Sequence, residues 1–148
     1  MTTHRLLNAA PGANTGTGTG IARSAQPLVT RIAGSTPLVL DSPHSGTHYP
    51  EDFRPACDLA TLRRAEDTHV EKIYSFAPAL GAAWIEAHFP RIYLDVNRDT
   101  TELDTSLLNG IWSDPLASDA AALSKLRLGK GLVWKSTDEG LPVYDRLL

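Results

Sequence analysis

The sequence predicts an α/β domain, with a mixed, mostly parallel central sheet flanked by helices. Three observations carry that prediction. The expected elements run strand, helix, strand, strand along the chain. The short run Leu38–Leu40 is wholly apolar, as in a strand covered by helices on both faces. Val70, Ile73, Tyr74, Ala77 and Leu80 recur at three- and four-residue spacing, the stripe of an amphipathic helix.

Taken in order, Pro27–Ile32 alternates loosely and reads as a first strand. Gly34 and Ser35 give a turn before the apolar strand Leu38–Leu40. The loop from His44 to Pro55 carries Pro50 and Pro55, which restrict it, and it suits the lining of a site. Leu59 and Leu62 begin a helical pattern that continues through the stripe above. Pro78 should kink that helix near its end, and Gly81 should cap it. Ala82–Ala87 is the next strand. Pro90 breaks the run, and Arg91–Val96 is another strand. Asp119–Leu128 predicts a short helix ending at Gly129, and Gly131–Lys135 a brief strand or an apolar flap.

Composition bounds the possibilities. With 148 residues the chain suits one domain. Residues 1–26 are rich in Thr, Gly and Ala and read as a flexible tail, because they cannot bury enough apolar area to offset their ordering entropy. The domain is expected over 27–148. A formal net charge of -3 gives no nucleic-acid footprint, which needs a basic patch. No apolar run approaches the ~20 residues of a membrane span. Cys57 is the single cysteine, so no intrachain disulfide forms and a reducing, cytoplasmic setting fits. Cys57 has no evident base partner and Ser45 no nucleophile-elbow pattern, which argues against both as nucleophiles.

Three polar clusters stand at element ends. Asp41-Ser42-Pro43-His44-Ser45-Gly46 follows the apolar strand directly. Its His44 is the leading metal-ligand candidate, since imidazole on a rigid loop is a favoured zinc donor; the alternative is a turn-capping histidine. Glu66-Asp67-Thr68-His69 starts the main helix. One of its carboxylates could complete a site with His44, or Asp67 could serve only as an N-cap. His69 could orient a ligand or bind metal itself. Asp95-Val96-Asn97-Arg98 closes the last strand. Asn97 and Arg98 suit a carboxylate, with Arg91 a second cation nearby, unless Arg98 pairs with Asp95, Asp99 or Glu102.

Together these clusters resemble the N-formylglutamate amidohydrolase family. The resemblance lies in Asp41-Ser-Pro-His44-Ser-Gly46, in Glu66-Asp67-Thr-His69-Val, and in Phe89-Pro-Arg91-Ile-Tyr-Leu-Asp95-Val-Asn97-Arg98 with Glu102-Leu-Asp104. It extends to Gly131-Leu-Val-Trp134 and Pro142-Val-Tyr144-Asp-Arg146, in the family's order and spacing.

The resemblance implies a zinc-dependent hydrolase of the amide bond of N-formyl or N-acyl acidic amino acids. It also implies a zinc-carboxypeptidase-like (phosphorylase/hydrolase-like) fold, incomplete here because family members are roughly twice as long. His44 matches the first zinc ligand and Asp67, or else Glu66, the acidic one. Asn97 and Arg98 match the substrate-carboxylate clamp, with Arg91 a helper. His69 and Ser45 are expected to support the ligands. The family's second zinc histidine and catalytic glutamate are not found: no histidine follows Arg98. The expectation is therefore an N-terminal part of the domain, truncated or paired with a second polypeptide supplying the C-terminal half. The rival expectation is a non-catalytic carboxylate-binding or interaction module derived from this family.

Overall fold

The computed structural model describes residues 27–148, and the expected tail over 1–26 lies outside the described residues. Three strands form one sheet: β1 (Val29–Ile32), β2 (Val39–Ser42) and β3 (Ala83–Ala87), in the order β1-β3-β2. β3 is central, antiparallel to β1 and parallel to β2. The sheet is thus evenly mixed rather than mostly parallel.

Helices are short. α1 (Leu59–Arg63) is capped by the Asp58 carboxylate, which accepts from the Thr61 N–H. The apolar stripe that predicts one long helix instead runs through α2 (Val70–Ile73) and a 3-10 turn at Ala77–Leu80. Pro78 lies in the first positions of that turn, where its missing N–H costs nothing, and Gly81 ends it in the left-handed region at φ 82°. Ile73 and Leu80 remain exposed, so the stripe is only partly a core face. α3 (Ala120–Arg127) follows expectation: the Asp119 carboxylate accepts from the Ala121 and Ala122 N–H groups, and Gly129 with φ 70° closes it.

Two expected strands are absent among the described residues. Arg91–Val96 is a turn after Pro90, whose carbonyl accepts from the Tyr93 N–H. The Asp95 N–H then bonds the Leu132 carbonyl rather than a strand ladder. Gly131–Lys135 makes only isolated bridges, Lys130 to Trp134 and Ser136 to Pro142. In both, the buried residues are three apart (Ile92 and Asp95, Gly131 and Trp134), a turn's spacing rather than a strand's alternation.

The hydrophobic core lies beside the sheet. Phe53, Leu62, Ala65, Ile92, Trp134 and Val143 form it, with Tyr49, Cys57, Tyr93 and Tyr144 packed around. Phe53 meets Tyr93 and Tyr144 edge to face, the geometry aromatic quadrupoles favour. The sheet's two faces differ. One carries Ser42 and Trp84, both buried. The other carries Val29, Val39 and Ile85, all exposed, so the expected cover on both faces is not seen among the described residues. No helix among them is long and apolar enough to cross a membrane.

Candidate active site

β2 ends at Ser42 and delivers His44 to a tight loop. The Ser45 hydroxyl bonds that of Ser42, anchoring the loop to the strand. Gly46 then passes so close to the His88–Phe89 backbone that a Cβ there would lie 2.3 Å from the His88 carbonyl carbon. Only glycine permits that approach. The second cluster is tied to the first through the backbone: the Asp67 N–H donates to the His44 carbonyl at 3.1 Å. Residues 44 and 67 are therefore placed by main chain, not by side-chain chance.

The His44 ring is buried between two carboxylates. Its Nε2 is 2.8 Å from Asp95 Oδ1 and its Nδ1 is 3.2 Å from Asp67 Oδ2. Asp95 has no solvent-exposed surface. It also accepts from the Asn97 N–H, from Arg91 Nε and Nη2, and from Trp134 Nε1. Burial alone would push its pKa up, but hydrogen bonds and charge from His44 and Arg91 outweigh that and hold the carboxyl well below the usual carboxylate range. An ionised carboxylate accepts only, so it fixes the imidazole N–H on Nε2.

That leaves the Nδ1 lone pair facing an Asp67 oxygen. Two acceptors at this separation oppose each other unless a proton or a cation lies between them. Imidazole nitrogen and carboxylate oxygen are also the donors zinc takes, and a ligating histidine commonly gives its other N–H to a carboxylate, the place Asp95 holds. The residues present fit two positions of a zinc site. No group of three metal-ligating side chains occurs among the described residues.

Glu66, the alternative acidic ligand, turns elsewhere. Its Oε1 accepts from the Tyr49 hydroxyl at 2.7 Å and lies 3.9 Å from Arg63 Nε. Burial, followed by this bond, raises the Tyr49 phenol pKa far above its ordinary range. Glu66 and Asp67 do not begin the main helix. His69 precedes α2 in the left-handed region at φ 69°, with no side-chain cap. The His69 ring faces Lys72, Nδ1 to Nζ 3.3 Å, rather than His44.

The expected clamp is dispersed. The Asn97 backbone joins the Asp95 network, and the residue lines a hollow of about 270 Å3 with Asp41, Pro43, Ile85 and Val96. Arg98 donates to the carbonyls of Lys130 and Asn97 and stands 3.9 Å from Glu102, the ion pair weighed as its alternative. Arg91 is the guanidinium beside the pair, with Nη1 3.6 Å from Asp67 Oδ1. Its charge also lies over the Trp134 ring, 5.1 Å from the centroid, with Lys130 over the same ring.

Sequence reasoning missed Asp95 and Trp134 as site residues. Both lie in quoted motifs, yet an aspartate at the end of an apolar run signals neither burial nor a histidine partner 51 positions away.

The N-formylglutamate amidohydrolase family model matches residues 36–148. N-formylglutamate deformylase of Pseudomonas aeruginosa is 33% identical over 90 residues, covering 56% of this chain and 32% of its own. The crystal structure of N-formylglutamate amidohydrolase from Ralstonia eutropha superposes with a TM-score of 0.71 and 41% identity, covering 81% of this chain and 42% of that one. This chain spans less than half the length of either relative. It belongs to the N-formylglutamate amidohydrolase family.

Proposed function

From that membership we propose that the chain carries part of the active site of a hydrolase cleaving the amide bond of N-formyl or N-acyl acidic amino acids, N-formylglutamate foremost. The observation that carries the reading is the His44 ring, held at Nε2 by ionised Asp95 while Nδ1 meets Asp67. In this proposal His44 and Asp67 hold a zinc ion. Bound there, zinc supplies Lewis acidity to the scissile carbonyl and acidifies water. Asp95 orients His44, and Arg91 holds Asp67 and Asp95 in register. Asn97, which borders the hollow that Asp41 and Pro43 also line, meets substrate in this proposal. Arg98 would reach a substrate carboxylate only by leaving the Lys130 carbonyl. Kinship with the zinc-carboxypeptidase fold is part of the same proposal.

The rival, a carboxylate-binding module without metal chemistry, draws support from one fact. Zinc catalysis needs three protein ligands, and two converge among the described residues. Calorimetric zinc titration with a turnover assay separates the two. The hydrolase reading expects one zinc per chain, affinity at least about tenfold lower in His44→Ala, and formate release from N-formylglutamate once the remainder of the family domain is supplied. Zinc binding unchanged by His44→Ala would sink it. Ligand-induced thermal stabilisation without turnover would favour the rival.

A further inference from the structure

The segments that carry His44 and Asp67 meet at two points. The first is main chain: the Asp67 N–H donates to the His44 carbonyl at 3.1 Å. The second joins side chains: the Tyr49 hydroxyl donates to Glu66 Oε1 at 2.7 Å. Tyr49 lies on the loop that His44 opens, and Glu66 directly precedes Asp67. Both ends of this second tie are anchored. The Tyr49 ring stacks on Phe53, with centroids 6.1 Å apart, and packs against the hydrophobic core. Glu66 shows 8% of its side chain to solvent, and its N–H donates to the Arg63 carbonyl at the end of α1.

Past Asp67 the chain is irregular, with His69 in the left-handed region before α2. A segment held by one hydrogen bond can swing about it. Two ties with separate anchors remove that freedom. Glu66 is also committed: a largely buried carboxylate that accepts from a core-anchored phenol would strand the hydroxyl if it turned to His44.

We infer that Tyr49 and Glu66 are positioning residues, whose hydrogen bond locks the Asp67 segment against the His44 loop and so fixes the 3.2 Å spacing of His44 Nδ1 and Asp67 Oδ2. The lock is a property of the chain without metal. Only its consequence for zinc rests on the hydrolase reading.

Amide hydrogen exchange of the full chain without metal, followed by calorimetric zinc titration, tests this. Tyr49→Phe keeps the ring in the core and deletes the donor. It should speed exchange of the Asp67 amide by about fivefold, the factor one net hydrogen bond carries. The Ala83 amide, bonded to the Leu38 carbonyl in the sheet, should keep its rate. Glu66→Ala should act on the Asp67 amide as Tyr49→Phe does. Glu66→Gln, whose amide oxygen still accepts from Tyr49, should restore the original rate. The Glu66→Ala and Glu66→Gln pair decides should Tyr49→Phe fail to fold. Zinc affinity should follow the same order, about fivefold lower in Tyr49→Phe and Glu66→Ala and recovered in Glu66→Gln. Asp67 exchange unchanged in Tyr49→Phe and Glu66→Ala overturns the inference. So does equal acceleration at Asp67 and Ala83, which is a general loss of stability. Zinc affinity lost as fully in Glu66→Gln as in His44→Ala also overturns it, making Glu66 a ligand. The expected exchange pattern in a chain that binds no zinc upholds the lock and sinks the hydrolase reading alone.

Discussion

The two walls around His44 are built differently. The inner wall is Asp95 with Arg91 and Trp134, closed to solvent and dense with hydrogen bonds. The outer wall is Asp67, on an irregular turn before α2, with 48% of its side chain exposed and Arg91 its other charged neighbour among the described residues. One wall fixes an imidazole; the other leaves an acceptor open beside it. Rigidity on one side and access on the other is what a ligand-binding histidine requires.

Removing the hub of the inner wall should have the largest effect. Asp95→Ala leaves the buried His44 Nε2 and the Trp134 N–H without their acceptor, and leaves Arg91 only Asp67 as a charged partner among those described. About 3–5 kcal/mol of stability should be lost in denaturant unfolding, as when one partner of a buried ion pair is removed. Trp134→Phe keeps a ring under Arg91 but deletes the N–H to Asp95, at a cost of about 1–2 kcal/mol. The outer wall should behave in the opposite way. Asp67→Asn should change stability by no more than about 0.5 kcal/mol, as at an ordinary surface position. It should nevertheless abolish the zinc-induced thermal shift that the proposed site predicts. If Asp67→Asn destabilised as strongly as Asp95→Ala, the contrast between the walls would be wrong.

The smallest effect reaches the aromatic cluster behind the inner wall. Burial, then the neighbouring Tyr93, pushes the Tyr144 phenol from its ordinary 10.0 up to about 12. The unfolded chain releases that proton first, so the folded state holds more protons between those values. Stability should therefore fall as pH rises through that window. Tyr144→Phe should flatten the alkaline slope of the melting temperature without altering zinc binding.

Local signals were legible where local chemistry decides. The short helix over Asp119–Leu128 and its end at Gly129 were readable, and the structure adds the Asp119 cap on the Ala121 and Ala122 N–H groups. Gly81 was readable because a left-handed turn favours glycine. The family was readable from the order of three motifs and is borne out by the comparisons. Less legible was any feature fixed by distant partners. Arg91–Val96 has a strand's composition, but Asp95 turns inward to His44 and Trp134, and the backbone follows the carboxylate rather than a ladder. Arg98 looked like the clamp because it follows Asn97, yet the Lys130 carbonyl, 32 positions on, captures its fork.

The residues alone determined which groups could do chemistry here: an imidazole after a short strand, an acidic pair, and guanidinium groups on one later segment. Tertiary structure decided between candidates, choosing Asp67 over Glu66 beside His44 and Arg91 over Arg98 beside Asp67. It did so because a buried charge goes where its hydrogen bonds can be completed, and those partners are distributed along the whole chain.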